Sequence, residues 1–572
     1  MNNLIRPLSK LWMNKMIRSL TVIIACIFLG PFLTYGRSNS DIVKHTSNLP
    51  FTMSEIAVPD FPNHNEKITD HGAVGDGHTM NTSAFARAIA ACAEAGGGSI
   101  IVPSGIWLTG PIQLRSHINL HLEKGALILF SRKFEDYPLI LSSWEGMEQV
   151  RCMSPIFGEN LENIAITGQG IIDGSGDAWR PVKKFKMTEQ QWKELVKSGG
   201  AVSDNGSVWW PSEQAMKGAK LVNELSKRKN VSFNEYAAAR EFLRPVMIGL
   251  VKCNSVLFDG PTFQNSPGWN IHPLMCENMI IRNITVRNPW YSQNGDGLDL
   301  ESCLNVVVYN CRFDVGDDAI CLKSGKDEYG RKRGKPSENI AIADCIVYHG
   351  HGGFTIGSEM SGGIRNISVK DCVFMGTDVG LRFKSTRGRG GVVENIFIND
   401  ILMTNIPTDA IRFNLYYGGK APIPEDDTDE EQREEIIPPV TEETPRFQKI
   451  YLKNIICRGA ERAIFIQGLP EMAITQVELD NAFISTNTGV TCVDADQIKL
   501  TNVTILSESE PVFSLSNSRN VRIQNAIFPT NMDVVMKLVG EKTQQIYLKN
   551  INLSQENIKF GNNVKSDVVI LE

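Results

Sequence analysis

Five stretches decide the fold: NMIIRNITV (278–286), NVVVYNCRF (305–313), NIAIADCIV (339–347), NISVKDCVF (366–374) and NIFINDILM (395–403). Each opens on Asn, alternates in the manner of a strand, reaches an Asn or Asp, and resumes as a second short apolar strand. The series continues with KIYLKNIIC from Lys449, QVELDNAFI from Gln476, QIKLTNVTI from Gln497, NVRIQNAIF from Asn520 and QIYLKNINL from Gln545. The usual interval, about 21–29 residues, is that of stacked structural repeats. One such unit cannot bury its apolar face; a stack of them buries every face in one continuous core. Asn at the turn tolerates left-handed backbone, and its amide can bond the equivalent turn above and below. The spacing predicts an all-β, single-stranded, right-handed parallel β-helix.

Working outward, weaker coils stand at INLHLEKGALILF, NIAITGQGIIDGSG and NSVLFDGPTF. Ahead of them, TSAFARAIAACAEAGGG places Phe85, Ile89, Ala90 and Cys92 on one helical face and stops at Gly96–Gly98, as expected of a helix that caps the open end. Three insertions interrupt the repeat. Residues near 175–245 carry helical stretches around Glu189–Lys197 and Ala215–Lys227 and the side chains Trp179, Trp192, Trp209 and Trp210; residues near 325–337 are basic; residues near 418–446 are acidic and Pro-rich. All three flank the coils that carry the candidate site. The chain reads as one β-helix domain over 66–572, preceded by an extension over 38–65 and a signal peptide over 1–37. The signal is read from Lys10, Lys15 and Arg18 followed by the apolar run Leu20–Tyr35, which Gly30 and Pro31 break and which is short for a membrane span. The expectation is an exported protein, periplasmic or secreted, with no membrane association beyond that signal.

Composition is that of a soluble globular chain, 42% hydrophobic and 21% charged. A net charge of −6 gives no electrostatic case for nucleic acid, and an acidic ligand would have to be held by a local basic cluster. The 12 cysteines include no C-x-x-C pair, and most recur at one position of the repeat, where they read as small buried hydrophobes; one or two disulfides stay open.

The central coils align on a closing Ser: DGLDLES, DDAICLKS, HGGFTIGS and DVGLRFKS. Adjacent coils lie one strand spacing apart, so Asp317, His351 and Asp378 become neighbours, Lys323 and Lys384 share another position, and Asp296 falls within one residue of the register of Asp317. Asp317 and Asp318 are adjacent and reach one groove only if the backbone bends at Gly316. Crowded carboxylates push each other's pKa apart, which suits a glycosidic cleavage needing one acid and one base. Arg382 and Lys384, two apart on one strand face, supply positive charge for an acidic sugar.

Four motifs in order, NGD (294–296), GDD (316–318), GHG (350–352) and RFK (382–384), make the chain resemble glycoside hydrolase family 28, the polygalacturonases, whose fold is the pectin-lyase-like solenoid. The resemblance spans nearly all of the chain from Ile68, with Gly295 standing where the family usually has Thr. It implies an inverting hydrolase of pectic polysaccharide or oligogalacturonide with no cofactor or metal, in which Asp317 is the general acid, Asp296 and Asp318 activate water, and His351 supports the acid. It further implies Asn294, Arg382, Lys384, Lys323 and Tyr416 as substrate contacts. The enlarged loops resemble those of bacterial exo-acting members, in which Lys326, Arg331, Lys332 and Arg333 either hold the chain terminus or solubilise the surface. A monomer is expected. The rival readings are a galacturonidase of rhamnogalacturonan or branched pectin, a calcium-dependent pectate lyase, and a non-catalytic binding solenoid.

Overall fold

The computed structural model describes residues 41–228, 230–418 and 437–571; the signal-peptide reading and the acidic run over 419–436 lie outside them. Short strands wind round one axis in parallel stacks. One stack runs in register Val256–Met279–Val306–Ile340–Ile367–Ile396–Ile450–Val477–Ile498. Another runs Ile248–Ile271–Leu298–Ile320–Phe354–Leu381–Ile411–Ile464–Val490–Phe513–Met536. Their inward side chains form a single core running the length of the stack. The protein is a parallel β-helix, as the repeats predict.

The turn chemistry follows from the repeats as well. All ten segment-opening residues, from Asn278 to Gln545, have φ near +55°, the left-handed region that Asn tolerates. Amide side chains link coil to coil: Asn278 donates to Asn254 at 2.8 Å, Asn305 to Asn278 at 3.2 Å, Asn339 to Asn305 at 3.2 Å, Asn366 to Asn339 at 3.1 Å and Asn395 to Asn366 at 3.3 Å. The described cysteines are all free and buried, so no disulfide forms among them.

Helix Thr82–Glu94 closes the first coil, burying Ala84, Phe85, Ala88, Ile89 and Cys92. Ala90 sits at the edge of that face, half-exposed. The first large insertion forms helices Glu189–Lys197 and Glu213–Ser226 and a small antiparallel sheet through Val208–Trp210. Its tryptophans mainly build the insertion's own cores: Trp179 packs with Tyr137 and Leu243, and Trp192 with Trp209.

Two features differ from the sequence reading. An antiparallel hairpin, Leu139–Trp144 with Met147–Cys152, leaves the coil before the first expected insertion; its strands carry no repeat signature. The basic stretch near 325–337 folds into a helix, Asp327–Arg333. Its arginines are committed to the protein. Arg333 donates to buried Glu301 at 2.5 Å, and Arg331 bonds the carbonyl of Gly388 at 2.6 Å and Glu443 at 3.2 Å. Lys332 pairs one turn back with Glu328 on the surface. These contacts hold the helix against the coils through Arg331 and Arg333.

Candidate active site

Four successive coils supply the site. Register places Leu298 beside Ile320, hence Asp296 level with Asp318, and Ile320 beside Phe354, hence Asp317 level with His351. The match of Asp296 is therefore to Asp318, one residue along from Asp317. The bend before the pair is enforced by crowding: a Cβ on Gly316 would lie 2.5 Å from the Pro289 carbonyl and 2.4 Å from Ser292 Oγ. Gly295 is packed against the same serine, whose Oγ occupies the place of a side chain there. With that bend, Asp296, Asp317 and Asp318 each present an oxygen within 4.8 Å of the other two.

The three carboxylates have different surroundings. Asp318 is buried and accepts from Arg382 Nη1 at 3.1 Å and Lys384 Nζ at 2.7 Å. Burial pushes its carboxyl up, but the two cations outweigh burial and hold it far below the usual carboxylate range. Asp296 is equally buried; desolvation first, then Asp299 and Asp317, push its pKa well above the usual value. Lys323 Nζ, 3.5 Å from Asp296 and 3.1 Å from Asp299, offsets only part of this, and Asp299 itself is raised to about 6. Asp296 Oδ1 has no hydrogen-bond partner among the described residues. Asp317 is the most exposed of the three. Its Oδ1 accepts from the Asp318 backbone N–H at 3.1 Å and lies 3.0 Å from His351 Nδ1. Burial is the largest influence and raises it, but the His351 hydrogen bond and charge, with Lys384 behind, together bring it below the ordinary value.

Other expected residues find different partners. Lys323 is buried beneath the acids, its ammonium 3.5 Å above the Trp269 ring, so it supports Asp296 and does not face the groove. Asn294 takes a left-handed conformation and accepts from Arg244 Nη2 at 2.6 Å. Tyr416 is buried in the core with Arg387 over its ring, because consecutive residues past the strand end point to opposite sides. The tyrosine beside the cations is Tyr417, whose ring centre lies 5.0 Å from Lys384 Nζ and 5.9 Å from Arg382 Cζ.

Lys186 and Arg244, neither singled out in the sequence, come from the first insertion. Lys186 Nζ lies 3.0 Å from the Gly316 carbonyl and 3.2 Å from His351 Nε2. Arg244 also ties the carbonyls of Pro267 and Gln293, clamping the turn before Asp296. Beside His351 a cleft of about 850 Å³ opens, lined by Phe185, Lys186, Arg287, Trp290, His349 and Asp378 among others, with Phe185 and Trp290 exposed. On the side of the cations the hairpin tip meets the helix Asp327–Arg333, the Lys326 N–H donating to the Gly146 carbonyl at 3.1 Å.

Comparison with known proteins agrees with this geometry. The profile of glycosyl hydrolases family 28 matches residues 183–428. The solved exopolygalacturonase of Thermotoga maritima is 32% identical, covers 82% of this chain and 96% of its own, and superposes with a TM-score of 0.68. The chain belongs to glycosyl hydrolase family 28. It is also 31% identical over 375 residues to the exo-poly-alpha-D-galacturonosidase of Dickeya chrysanthemi, covering 64% of this chain and 59% of that one. A probable polygalacturonase of Vitis vinifera is 29% identical over 450 residues, 76% and 78% of the two chains. As a family 28 protein the chain is a glycoside hydrolase, and no helix among the described residues is long and apolar enough to cross a membrane.

Proposed function

We propose that this glycosidase hydrolyses the α-1,4-galacturonosyl linkages of a pectic polysaccharide or oligogalacturonide from a chain end, as an exported monomer. Asp317 is the general acid, and Asp296 with Asp318 holds the attacking water. The observation that carries this reading is the meeting of three carboxylates within 4.8 Å in unlike environments. Groups so close share protons as a set. Asp318, saturated by two cations, stays ionised and is better suited to orient water than to attack carbon. Asp296 keeps an unpartnered oxygen for that water. A galacturonate carboxylate drawn to Arg382 and Lys384 weakens their hold on the set and raises its proton affinity. Asp317, the member nearest the groove, is the one placed to pass such a proton to the leaving oxygen. Side chains from one chain complete the site.

The spacing is tighter than the ~6.5–9.5 Å usual between the two acids of inverting glycosidases. Inversion is nonetheless favoured, because the ion pairs of Asp318 with Arg382 and Lys384 keep it ionised as an acceptor for the water's proton and tie it up as a nucleophile. Attack from a chain end is supported by the wall of hairpin and helix on the cation side, facing an open cleft on the His351 side, and by the likeness to the exopolygalacturonase of Thermotoga maritima and the exo-poly-alpha-D-galacturonosidase of Dickeya chrysanthemi. A calcium-dependent lyase is disfavoured because Arg382, Lys384 and Lys323 already compensate the carboxylates.

One digest of polygalacturonate tests the whole reading, with NMR of the earliest product. The expected result is steady release of a single small saturated product in the β-anomeric form, unaffected by chelator. An unsaturated product lost on adding chelator contradicts hydrolysis, a spread of oligomers contradicts exo attack, and an α-anomer contradicts inversion.

A further inference from the structure

The cluster at His351 contains a cation that the acid–base roles above do not use. Lys186 reaches in from the first insertion, half-buried, and its Nζ lies 3.2 Å from His351 Nε2 and 3.0 Å from the Gly316 carbonyl. An ammonium carries three donors and no acceptor, so an imidazole nitrogen facing it must offer a lone pair. The ring hydrogen then resides on Nδ1, which lies 3.0 Å from Asp317 Oδ1. That oxygen also receives the Asp318 backbone N–H at 3.1 Å. With two donors on Oδ1, the carboxylic proton of Asp317 can sit only on Oδ2.

We propose that Lys186 is a positioning residue that holds His351 in the neutral tautomer with its hydrogen on Nδ1, and so confines the transferable proton of Asp317 to Oδ2. The inference rests on the reading of Asp317 as the acid and adds what keeps its proton where transfer needs it. The one-proton state of the Asp317–His351 pair has two forms. Neutral histidine with a protonated acid is productive; imidazolium with a carboxylate is not. A cation 3.2 Å from Nε2 penalises the second form. The groups acting on His351 are Asp317 at Nδ1, Lys186 at Nε2, the exposed Asp378 carboxylate 3.7 Å from Nε2 on the next coil, and Asp318 behind Asp317. Asp378 and the two acids favour the imidazolium; Lys186 at Nε2 opposes it, as do Arg382 and Lys384, the cations held on Asp318. Burial, with a smaller push from Lys183, lowers the Lys186 pKa below its ordinary value, and Asp317, Asp378 and Asp296 offset part of that.

The test uses the full chain with nitrogen-labelled histidine, the His351 signal being assigned by difference from His351→Gln. In the unaltered enzyme His351 should be the neutral Nδ1–H tautomer throughout the pH range of activity. In Lys186→Met it should become imidazolium in that range, with kcat lower by about tenfold or more and KM little changed. Lys186→Arg should restore much of both. Lys186→Gln serves as the neutral variant should the methionine protein fail to fold. An imidazolium or an Nε2–H tautomer in the unaltered enzyme overturns the proposal, and so does a Lys186 variant that loses activity with the tautomer unchanged. Retained polymer cleavage by Asp317→Asn, with the tautomer as expected, would instead remove the acid assignment alone.

Discussion

Asp318 receives Arg382 and Lys384 on its two oxygens, and the result is a carboxylate that remains ionised although buried. One coil earlier, Lys323 serves two buried acids, Asp296 and Asp299, and leaves both above the ordinary carboxyl range. The same residue types therefore hold one carboxyl far below its ordinary range and leave two others above it, the difference being the number of cations per carboxylate. Removing one member of a buried ion-paired set leaves an uncompensated charge, at a cost of about 3–5 kcal/mol. Lys323→Met should destabilise the protein by that amount, read from denaturant unfolding. Adding Asp299→Asn should recover part of the loss, and a Lys323→Met protein as stable as the parent would show that the lysine does not serve the acids.

Turns and strands carry the next level. The Asn ladder joins neighbouring coils through side-chain amides, at positions where φ is positive. Asn305→Ala loses two hydrogen bonds and the polar side chain that makes left-handed backbone tolerable for Asn, a combined cost of about 3 kcal/mol. Asn305→Gly avoids the backbone strain and should cost about 1–2 kcal/mol, measured by the same unfolding curves. Equal losses in the two variants would mean that backbone geometry is irrelevant there. These ladders are the part of the fold legible in the sequence, since a repeat writes its register into every copy. That register also brings Asp296, Asp317, Asp318, His351, Arg382 and Lys384 to one face from the sequence alone. Lys186 and Arg244 were not legible, because a non-repeating insertion delivers them by tertiary packing. The hairpin over 139–152 was missed for the same reason. That Tyr416 is buried while Tyr417 lies beside the cations is not legible either, because past the strand end at Asn414 no periodicity tells which of two adjacent rings faces outward.

At the level of the molecule, a stiff solenoid holds the acids, and the insertions shape what reaches them. The hairpin and the helix Asp327–Arg333 raise a wall on the cation side, fixed by the Arg333–Glu301 and Arg331–Glu443 pairs. The cleft on the other side presents Phe185 and Trp290 to a polymer. Replacing the hairpin by a short linker should turn the single product of a galacturonan digest into a mixture of oligomers, because one closed end is then open. An unchanged single product would assign end-selectivity elsewhere. The proposed mechanism requires one transferable proton on Asp317. Its most direct test compares Asp317→Asn on polygalacturonate and on an aryl galacturonide whose leaving group departs without protonation. The account predicts a loss of roughly 10²–10⁴-fold on the polymer and near-parent activity on the aryl substrate. Equal losses on both, or none on the polymer, would contradict it.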